Sequence, residues 1–282
     1  MKLVTIERDG QELAAIKAVH GLVLLEEINQ TYNQNWALYL FDLITTGQLD
    51  ELNQWYRTDG AKQLENLNAI PFDQAKLRPL YRHPHKILGI GMNYVAHPLA
   101  EKTKADPVSF IKPDTTLVGP GEKIHLPAES KKTTAEGELA IIIGKRCSNI
   151  TEAEAPHVIA GYTTALDMTE ADIHGQNPRY LTRAKSFDTF FSFGGELITA
   201  DEIANVEELQ VSTVLNGEVE HKNLVSNMIY NPWYLLSFHS KVMTFLPGDI
   251  ILTGTPGPVV IRSGDVIECR IEGFTTLQNG VK

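Results

Sequence analysis

The stretch TTAEGELAIII at residues 133–143 constrains the fold of this chain more than any other segment. Side chains alternate along a strand, so Glu136 and Glu138 would share one face. That face continues with Ala140 and Ile142, and the opposite face carries Leu139, Ile141 and Ile143. A strand that is apolar on both faces is buried on both, so the pattern predicts a central strand of a covered sheet.

Two carboxylates at the start of a buried strand are unfavourable unless a cation or hydrogen-bonding partners compensate their charge. Asp167 ends the next apolar run, VIAGYTTALD, and would add a third carboxylate if that run forms the neighbouring strand. Neither histidine nor cysteine stands beside these three residues, which favours hard Mg²⁺ or Mn²⁺ over Zn²⁺. The spacing leaves one alternative open: both glutamates lie at a solvated strand end, as most glutamates do.

Short apolar runs separated by glycine and proline recur from residue 86 to the C-terminus. This texture is typical of a strand-rich region. One helix is predicted at residues 231–241. A second is predicted at residues 151–157, where Thr151 and Glu154 have the spacing of a capping box. Helices are few, so the sequence favours an α+β, mainly β fold over a repeating βαβ array.

The first eighty residues show a different pattern. An alternating strand is predicted at residues 2–8, followed by the apolar run AIKAVHGLVLLEEI and two helix-like stretches. The polar segment that ends near residue 85 is typical of a connection rather than of packed core. We therefore predict a small α+β N-terminal accessory domain at residues 1–80 and a mainly β domain at residues 81–282.

The charge and composition of the chain exclude several classes of partner. The net charge of −10 argues against nucleic acid, and an anionic substrate would need a local positive charge. No apolar run reaches the length of a membrane span, and the N-terminus lacks the pattern of a signal peptide. With two cysteines in the chain, a reducing compartment is expected. These features predict a cytoplasmic protein with no membrane or nucleic-acid partner.

Several blocks of the sequence occur in a characteristic order. They read GIGMNYVAH, PVSFIKPDTTLVGPGEKIHLP, ELAIIIGKRC, GYTTALDMT, LTRAKSFDTF, NGEVEHKNLVSNMIY and MTFLPGDIILTGTPGP. From about residue 86 to the C-terminus the chain thereby resembles the fumarylacetoacetate hydrolase family, and most closely its acylpyruvase and oxaloacetate decarboxylase branch. The resemblance implies a β-roll core, commonly in a homodimer, and an enzyme that acts on a small 2-keto acid.

The resemblance also assigns roles to individual residues. It implies that Glu136, Glu138 and Asp167 bind Mg²⁺ or Mn²⁺, and that Lys185 lies beside the metal as a catalytic and substrate-binding residue. Two further blocks are implied to contact the substrate. The block with Asn93, Tyr94 and His97 would line the mouth of the site. The turn with Gly254, Thr255 and Pro256 would help to hold the substrate carboxylate.

Family substrates carry a second carbonyl or carboxylate two carbons beyond the keto group, and a hard cation chelates their carboxylate and keto oxygens. Breaking the C–C bond leaves an enolate on the pyruvate fragment, whose charge the metal would stabilise and to which Lys185 would add a hydrogen bond or deliver a proton. For hydrolysis, His97 is the predicted base that activates water. The family's glutamate three residues later is replaced by Ala100, so Glu101 is the candidate partner of this histidine.

The chain departs from the family after Asp167, where TEADIH stands in place of T-A-R-D-L/V-Q and Ala171 replaces a basic residue. The leading hypothesis is a Mg²⁺- or Mn²⁺-dependent hydrolase that cleaves a C–C bond in an acylpyruvate-type diketo acid. Two alternatives use the same site and need no hydrolytic water: decarboxylation of oxaloacetate, and isomerisation or tautomerisation of a 2-hydroxyhepta-2,4-diene-1,7-dioate-type acid. An alternative of another class is a catalytically silent keto-acid-binding protein.

Overall fold

The computed structural model describes residues 1–95 and 105–282 and consists mainly of strands. The strands are β1 (Lys2–Arg8), β2 (Gln11–Ala18), β3 (Gly21–Leu24), β4 (Ile87–Gly91), β5 (Val108–Lys112), β6 (Leu117–Val118), β7 (Lys123–Ile124), β8 (Thr133–Ile143), β9 (Ile159–Glu170), β10 (Phe191–Phe193), β11 (Glu196–Thr199), β12 (Gln210–Leu215), β13 (Glu218–Leu224), β14 (Ile250–Leu252), β15 (Val259–Val260), β16 (Val266–Ile271) and β17 (Leu277–Val281). The helices are α1 (Leu25–Tyr32), α2 (Leu40–Thr45), α3 (Gln48–Trp55), α4 (Ala61–Gln63), α5 (Ala171–Gln176), α6 (Leu181–Lys185) and α7 (Pro232–Ser240). The α+β, mainly β prediction is confirmed.

Strands β8 and β9 form the centre of the molecule. They pair antiparallel over their whole length within a 12-stranded sheet whose main path runs β3-β2-β1-β11-β9-β8-β14-β4-β5. Leu139 and Ile141, on one face of β8, belong to the hydrophobic cluster shared with the second sheet. Ala140 and Ile142, on the other face, belong to the cluster shared with the first helices. The prediction of a central strand buried on both faces is therefore confirmed.

The second sheet packs across the face of β8 that carries Leu139. It has five strands in the order β13-β12-β16-β17-β7. The N–H of Gly137 donates to Oγ1 of Thr213 on β12 at 2.9 Å. A Cβ at Gly137 would lie 2.9 Å from the carbonyl oxygen of Ser212, closer than real Cβ contacts allow. The glycine between the two glutamates therefore permits the two sheets to approach each other.

The leading residues join the same large sheet. Strand β1 pairs antiparallel with β11, with Leu3 opposite Leu197. The predicted connection before residue 85 has short 3₁₀ turns at Leu64–Asn66 and Phe72–Gln74. It also contributes to the core, since Leu80 and Tyr81 are buried in the cluster shared with the first helices. That part of the prediction was wrong, because apolar side chains inside a polar segment can still pack beneath it.

Helix α7 agrees with the prediction at residues 231–241, and the side chain of Asn231 accepts the capping hydrogen bond from the N–H of Tyr234. The helix predicted at residues 151–157 is instead a 3₁₀ turn, Ala155–Val158. The capping pair does form, because the N–H of Thr151 donates to Glu154 at 2.8 Å. Pro156 has no N–H to continue an α-helical ladder. Across the described ranges, no helix combines the length and the apolar character that crossing a membrane requires.

Candidate active site

The β8–β9 register brings the three predicted metal ligands together. Glu136 lies directly opposite Asp167, and Glu138 lies two residues further along β8, opposite Ala165. One ligand oxygen from each of the three carboxylates lies within 4.8 Å of the other two. The solvated-end alternative does not apply, since Glu138 is 2% and Asp167 1% exposed. The two strands thus place three carboxylates around one point.

The electrostatic environment differs between the carboxylates. Burial raises the pKa of Glu138 well above its ordinary value, and repulsion from Asp167 and Glu136 raises it further. Burial acts in the same direction on Asp167, but Lys112 and Lys185 outweigh it and hold its pKa below the ordinary value. A divalent cation would relieve both the desolvation and the mutual repulsion of this cluster.

Lys185, which the family resemblance implies to lie beside the metal, lies against the carboxylate cluster. Its Nζ donates to Oδ2 of Asp167 at 2.5 Å, to Oε2 of Glu136 at 3.0 Å and to Oγ1 of Thr169 at 2.6 Å. Burial disfavours its charge, but Asp167 and Glu136 outweigh this and raise its pKa above the ordinary lysine value. The ring of Phe110 lies 4.6 Å from this ammonium, a cation–π contact. Lys185 is therefore a fixed cation.

Sequence reasoning missed a second lysine. Nζ of Lys112, at the end of β5, donates to Oδ1 of Asp167 at 2.6 Å and to the carbonyl oxygen of Met168 at 3.3 Å. Burial lowers the pKa of Lys112 to about 8, with Asp167 opposing the shift. The signal was present in VSFIK, because Phe110 and Lys112 fall on the same face of an alternating strand, and that face is the buried one.

The residues present fit a hard divalent cation. The cluster offers oxygen donors only, and its three carboxylates outnumber the two buried lysines that contact it. When all three carboxylates are ionised, their charge exceeds that of the two ammonium groups by one, and a divalent ion would offset this excess. Carboxylate oxygen donors favour Mg²⁺ or Mn²⁺. Glu136, Glu138 and Asp167 are thus the residues that could hold the metal.

The turn that contains Gly254 supports this cluster. The N–H of Gly254 donates to Oε2 of Glu138 at 2.6 Å, and the glycine has φ of +96°. A Cβ at this position would lie 2.8 Å from the Cβ of Asn93. The Asn93 amide donates to the carbonyl oxygens of Thr253 and Tyr230, and its Oδ1 accepts from the N–H of Tyr230. In this arrangement Asn93 and Gly254 position a candidate metal ligand, and their direct contact with substrate stays a prediction.

A cavity of about 600 Å³, which we call the inner cavity, is lined by residues of the carboxylate cluster together with Tyr94, Lys185 and Thr255. This volume lies in the range typical of small-molecule sites. The hydroxyl of Tyr94 is buried without a hydrogen-bond partner in the described part of the chain. Burial, followed by the charge of Glu138, raises the pKa of Tyr94, so the hydroxyl is a donor available to a ligand.

The inner cavity also includes polar residues that the sequence did not single out as ligand contacts. His174 of α5, Lys132 before β8, and Lys222 of β13 line it. Lys222 lies within one of the family blocks and the other two lie between blocks, but only the folded chain brings the three segments to one cavity. The predicted water-activating pair, His97 and Glu101, lies outside the described residues.

The chain is similar in sequence to proteins of one enzyme family. The family model of the fumarylacetoacetate (FAA) hydrolase C-terminal region matches residues 86–282. The mitochondrial oxaloacetate tautomerase Fahd2a of Rattus norvegicus is 33% identical over 225 residues, which cover 76% of this chain and 72% of the relative.

The solved structures that cover the whole chain, including its leading residues, include two hydrolases. A fumarylacetoacetate hydrolase from psychrophilic Exiguobacterium antarcticum has a TM-score of 0.85 at 28% identity and covers 100% of this chain and 99% of its own. A maleylpyruvate hydrolase from Sphingobium sp. SYK-6, in complex with manganese(II) and pyruvate, has a TM-score of 0.82 at 26% identity and covers 100% and 98%. The chain belongs to the fumarylacetoacetate hydrolase family.

Proposed function

We propose that this protein is a Mg²⁺- or Mn²⁺-dependent enzyme that interconverts the keto and enol forms of a 2-keto acid. One observation carries the proposal: the Lys185 ammonium is fixed between Glu136 and Asp167 and lines a cavity of ligand size. A cation fixed in that position can stabilise negative charge as it develops on a keto oxygen, without reorganising. The resemblance to an oxaloacetate tautomerase supports the same reaction.

A metal held by the three carboxylates would act as a Lewis acid that draws electron density from the keto group. The protein's own residues would do the remaining work. The Lys185 ammonium, whose N–H groups donate to Asp167, Glu136 and Thr169, stabilises the growing charge on the C2 oxygen through its own positive charge. The Tyr94 hydroxyl is the hydrogen-bond donor at the cavity wall. Both interactions are stronger with the enolate than with the ketone, which is the condition for lowering the barrier.

Tautomerisation also needs a group that accepts and returns a proton at C3. Lys185 is protonated and therefore suits the role of donor rather than base. We propose His174 as the acceptor, since it lines the inner cavity and histidine is the side chain that most often transfers protons near neutral pH. The imidazole accepts the proton from C3, and the same number of protons returns from the imidazolium to the C2 oxygen, so the enol is an isomer of the keto acid and His174 ends the cycle neutral.

Hydrolytic C–C cleavage of an acylpyruvate is the second candidate. The similarity to a maleylpyruvate hydrolase over the full length of the chain favours it. It would use the same carboxylates and Lys185 to stabilise the pyruvate enolate, and it would also require the water-activating base predicted at His97. We rank tautomerisation first because the chain is 33% identical to the oxaloacetate tautomerase and 26% identical to the maleylpyruvate hydrolase.

One set of assays separates these proposals. Purified protein with Mn²⁺ would be mixed with enol oxaloacetate, and the loss of enol absorbance would be followed alongside pyruvate formation. Tautomerisation removes the absorbance without producing pyruvate, whereas decarboxylation produces pyruvate. Release of pyruvate from acetylpyruvate would identify the hydrolase. Binding of oxalate that depends on Mn²⁺, with no turnover of any substrate, would identify the silent binder, and failure to bind Mn²⁺ would refute all of them.

A further inference from the structure

A second and larger cavity adjoins the inner cavity. It measures about 1130 Å³, and we call it the outer cavity. Lys132 and Ala171 line both cavities. Lys132 immediately precedes β8 and Ala171 immediately follows β9, and the N–H of Ala171 donates to the carbonyl oxygen of Lys132 at 2.9 Å. The junction between the cavities is therefore built on the two strands that carry the candidate metal ligands.

The two side chains at this junction are one cation and one methyl group. Lys132 is exposed and makes no ion pair with any residue that the structure describes. Ala171, which lines both cavities, contributes only a methyl group to the junction between them. The remaining outer cavity carries both signs of charge, with Lys131 and Arg183 against Glu129, Glu170 and Asp172. Lys132 is thus the cation that faces both cavities.

The distance along the strand indicates which ligands can reach this lysine. Lys132 precedes Glu136 by four residues, which is roughly 13 Å of Cα separation at the rise of a strand. A four-carbon acid, with C–C bonds of about 1.5 Å, spans less than half of that length. A longer keto acid whose first carboxylate lies at the carboxylate cluster would bring its other end closer to the Lys132 ammonium.

We propose that Lys132 determines specificity by binding a second carboxylate of the substrate, and that Ala171 admits 2-keto diacids longer than four carbons. This inference rests on the proposed function, which places the keto-acid end of the substrate at the carboxylate cluster. The second carboxylate pairs with Lys132 at the junction, and any further substituent extends into the outer cavity. An ammonium partner for a ligand carboxylate is worth roughly a tenfold change in affinity at a partly solvated site.

The test compares two 2-keto acids of equal chain length, each already at its keto–enol equilibrium, so that the enzyme causes no net conversion during the measurement. With Mn²⁺ present, calorimetry would measure the Kd of 2-oxoadipate, a six-carbon diacid, and of 2-oxohexanoate, which lacks the second carboxylate. The wild-type protein is expected to bind 2-oxoadipate about tenfold more tightly. Lys132→Gln should remove that preference, and Lys132→Arg should retain it. Lys241→Gln, an exposed lysine that lines neither cavity, should leave the preference unchanged.

A second variant tests the role of the small residue. Ala171→Leu narrows the junction. It should weaken the binding of 2-oxoadipate more than the binding of oxalate, because oxalate is too short to reach the junction. Equal binding of the two six-carbon acids by the wild-type protein, or a preference that survives in Lys132→Gln, would overturn the inference while the proposed function stands. Absence of Mn²⁺-dependent oxalate binding would instead overturn the proposed function and this inference together.

Discussion

Lys112 and Asp167 form an ion pair of 2.6 Å in which neither side chain is more than 1% exposed. The other carboxylate oxygen of Asp167 accepts from Lys185. One candidate metal ligand is thus held from two sides by ammonium groups on β5 and α6. These contacts fix the direction of the carboxylate before any metal binds, and they also leave its charge dependent on two buried cations.

Lys112→Met removes one of these cations while keeping a side chain of similar length. Breaking a buried pair leaves an uncompensated charge, so we expect the free energy of unfolding without metal to fall by roughly 3 kcal/mol. The loss should be smaller with Mn²⁺, because the cation replaces part of the missing charge. Urea unfolding with and without Mn²⁺ would measure this difference. Lys145→Met, which removes an exposed ion pair with Asp50, is the control and should change stability by less than about 1 kcal/mol.

Equal losses with and without metal in Lys112→Met would contradict this account. They would mean that Lys112 stabilises the fold through packing and through its bond to the Met168 carbonyl rather than through the charge of Asp167.

The carboxylate cluster shows how far sequence reasoning extends. Residues 133–143 predicted a strand buried on both faces, and strand alternation predicted that Glu136 and Glu138 share a face. The structure bears out both, because they follow from local periodicity. Lys112 was not predicted as a site residue, because lysines usually lie on the protein surface. Its burial became clear only once β5 was seen to turn the face with Lys112 inward.

Contacts between segments that are distant in sequence could not be predicted from the sequence. The pairing of Leu3 with Leu197 joins the leading residues to the central sheet, and no local pattern predicts it. The junction between the two cavities is of the same kind, since it forms only where β8 and β9 meet side by side. The family resemblance begins near residue 86 and therefore carried no information about the first strands.

Metal binding should stabilise the protein. At a Mn²⁺ concentration one hundred times its Kd, we expect a gain of about 2.7 kcal/mol in the free energy of unfolding. The pKa of Glu138 is raised, so its proton persists to a higher pH than in the unfolded chain and competes with the metal. The affinity for Mn²⁺ should therefore fall as the pH is lowered, beginning at a higher pH than the ordinary carboxylate pKa would give, as titration calorimetry would show.

Glu138→Gln should abolish the metal-dependent rise in thermal unfolding temperature, whereas Glu272→Gln, at an exposed carboxylate, should retain it. A rise in the Glu138→Gln protein equal to that of the wild-type protein would place the metal elsewhere.

Gly137→Ala tests the approach of the two sheets at the cluster. The added methyl group would lie 2.9 Å from the Ser212 carbonyl oxygen and 3.0 Å from Oγ1 of Thr213, so β12 must move. We expect a loss of about 1–3 kcal/mol in unfolding free energy and weaker Mn²⁺ binding, because both neighbouring glutamates shift. Gly175→Ala has no atom within 4 Å of its added carbon and should be neutral or slightly stabilising. Unchanged stability in Gly137→Ala would show that the sheets tolerate the separation.

Asn93→Ala distinguishes a positioning role from a substrate contact. The change leaves the carbonyl oxygens of Thr253 and Tyr230 without their donor, which should cost about 1–3 kcal/mol of stability. Because the adjoining Gly254 donates to Glu138, Mn²⁺ affinity should fall in the absence of any substrate. Calorimetry with Mn²⁺ alone reports this effect. Weakened keto-acid binding with unchanged Mn²⁺ affinity would support the direct contact implied by the family resemblance.

Lys185→Met separates catalysis from metal binding. The ammonium is expected to act on charge that develops during the reaction, so its removal should lower kcat by roughly a hundredfold or more and change KM less. Mn²⁺ affinity should be maintained or increased, because the change removes a positive charge 2.5 Å from Asp167 and 3.0 Å from Glu136. Turnover assays and calorimetry on the same preparation would test both expectations, with Lys241→Met as the control at an exposed lysine. A loss of kcat accompanied by an equal loss of Mn²⁺ affinity would mean that Lys185 serves to orient the metal ligands, since a group that acts only on the enolate has no reason to weaken the metal.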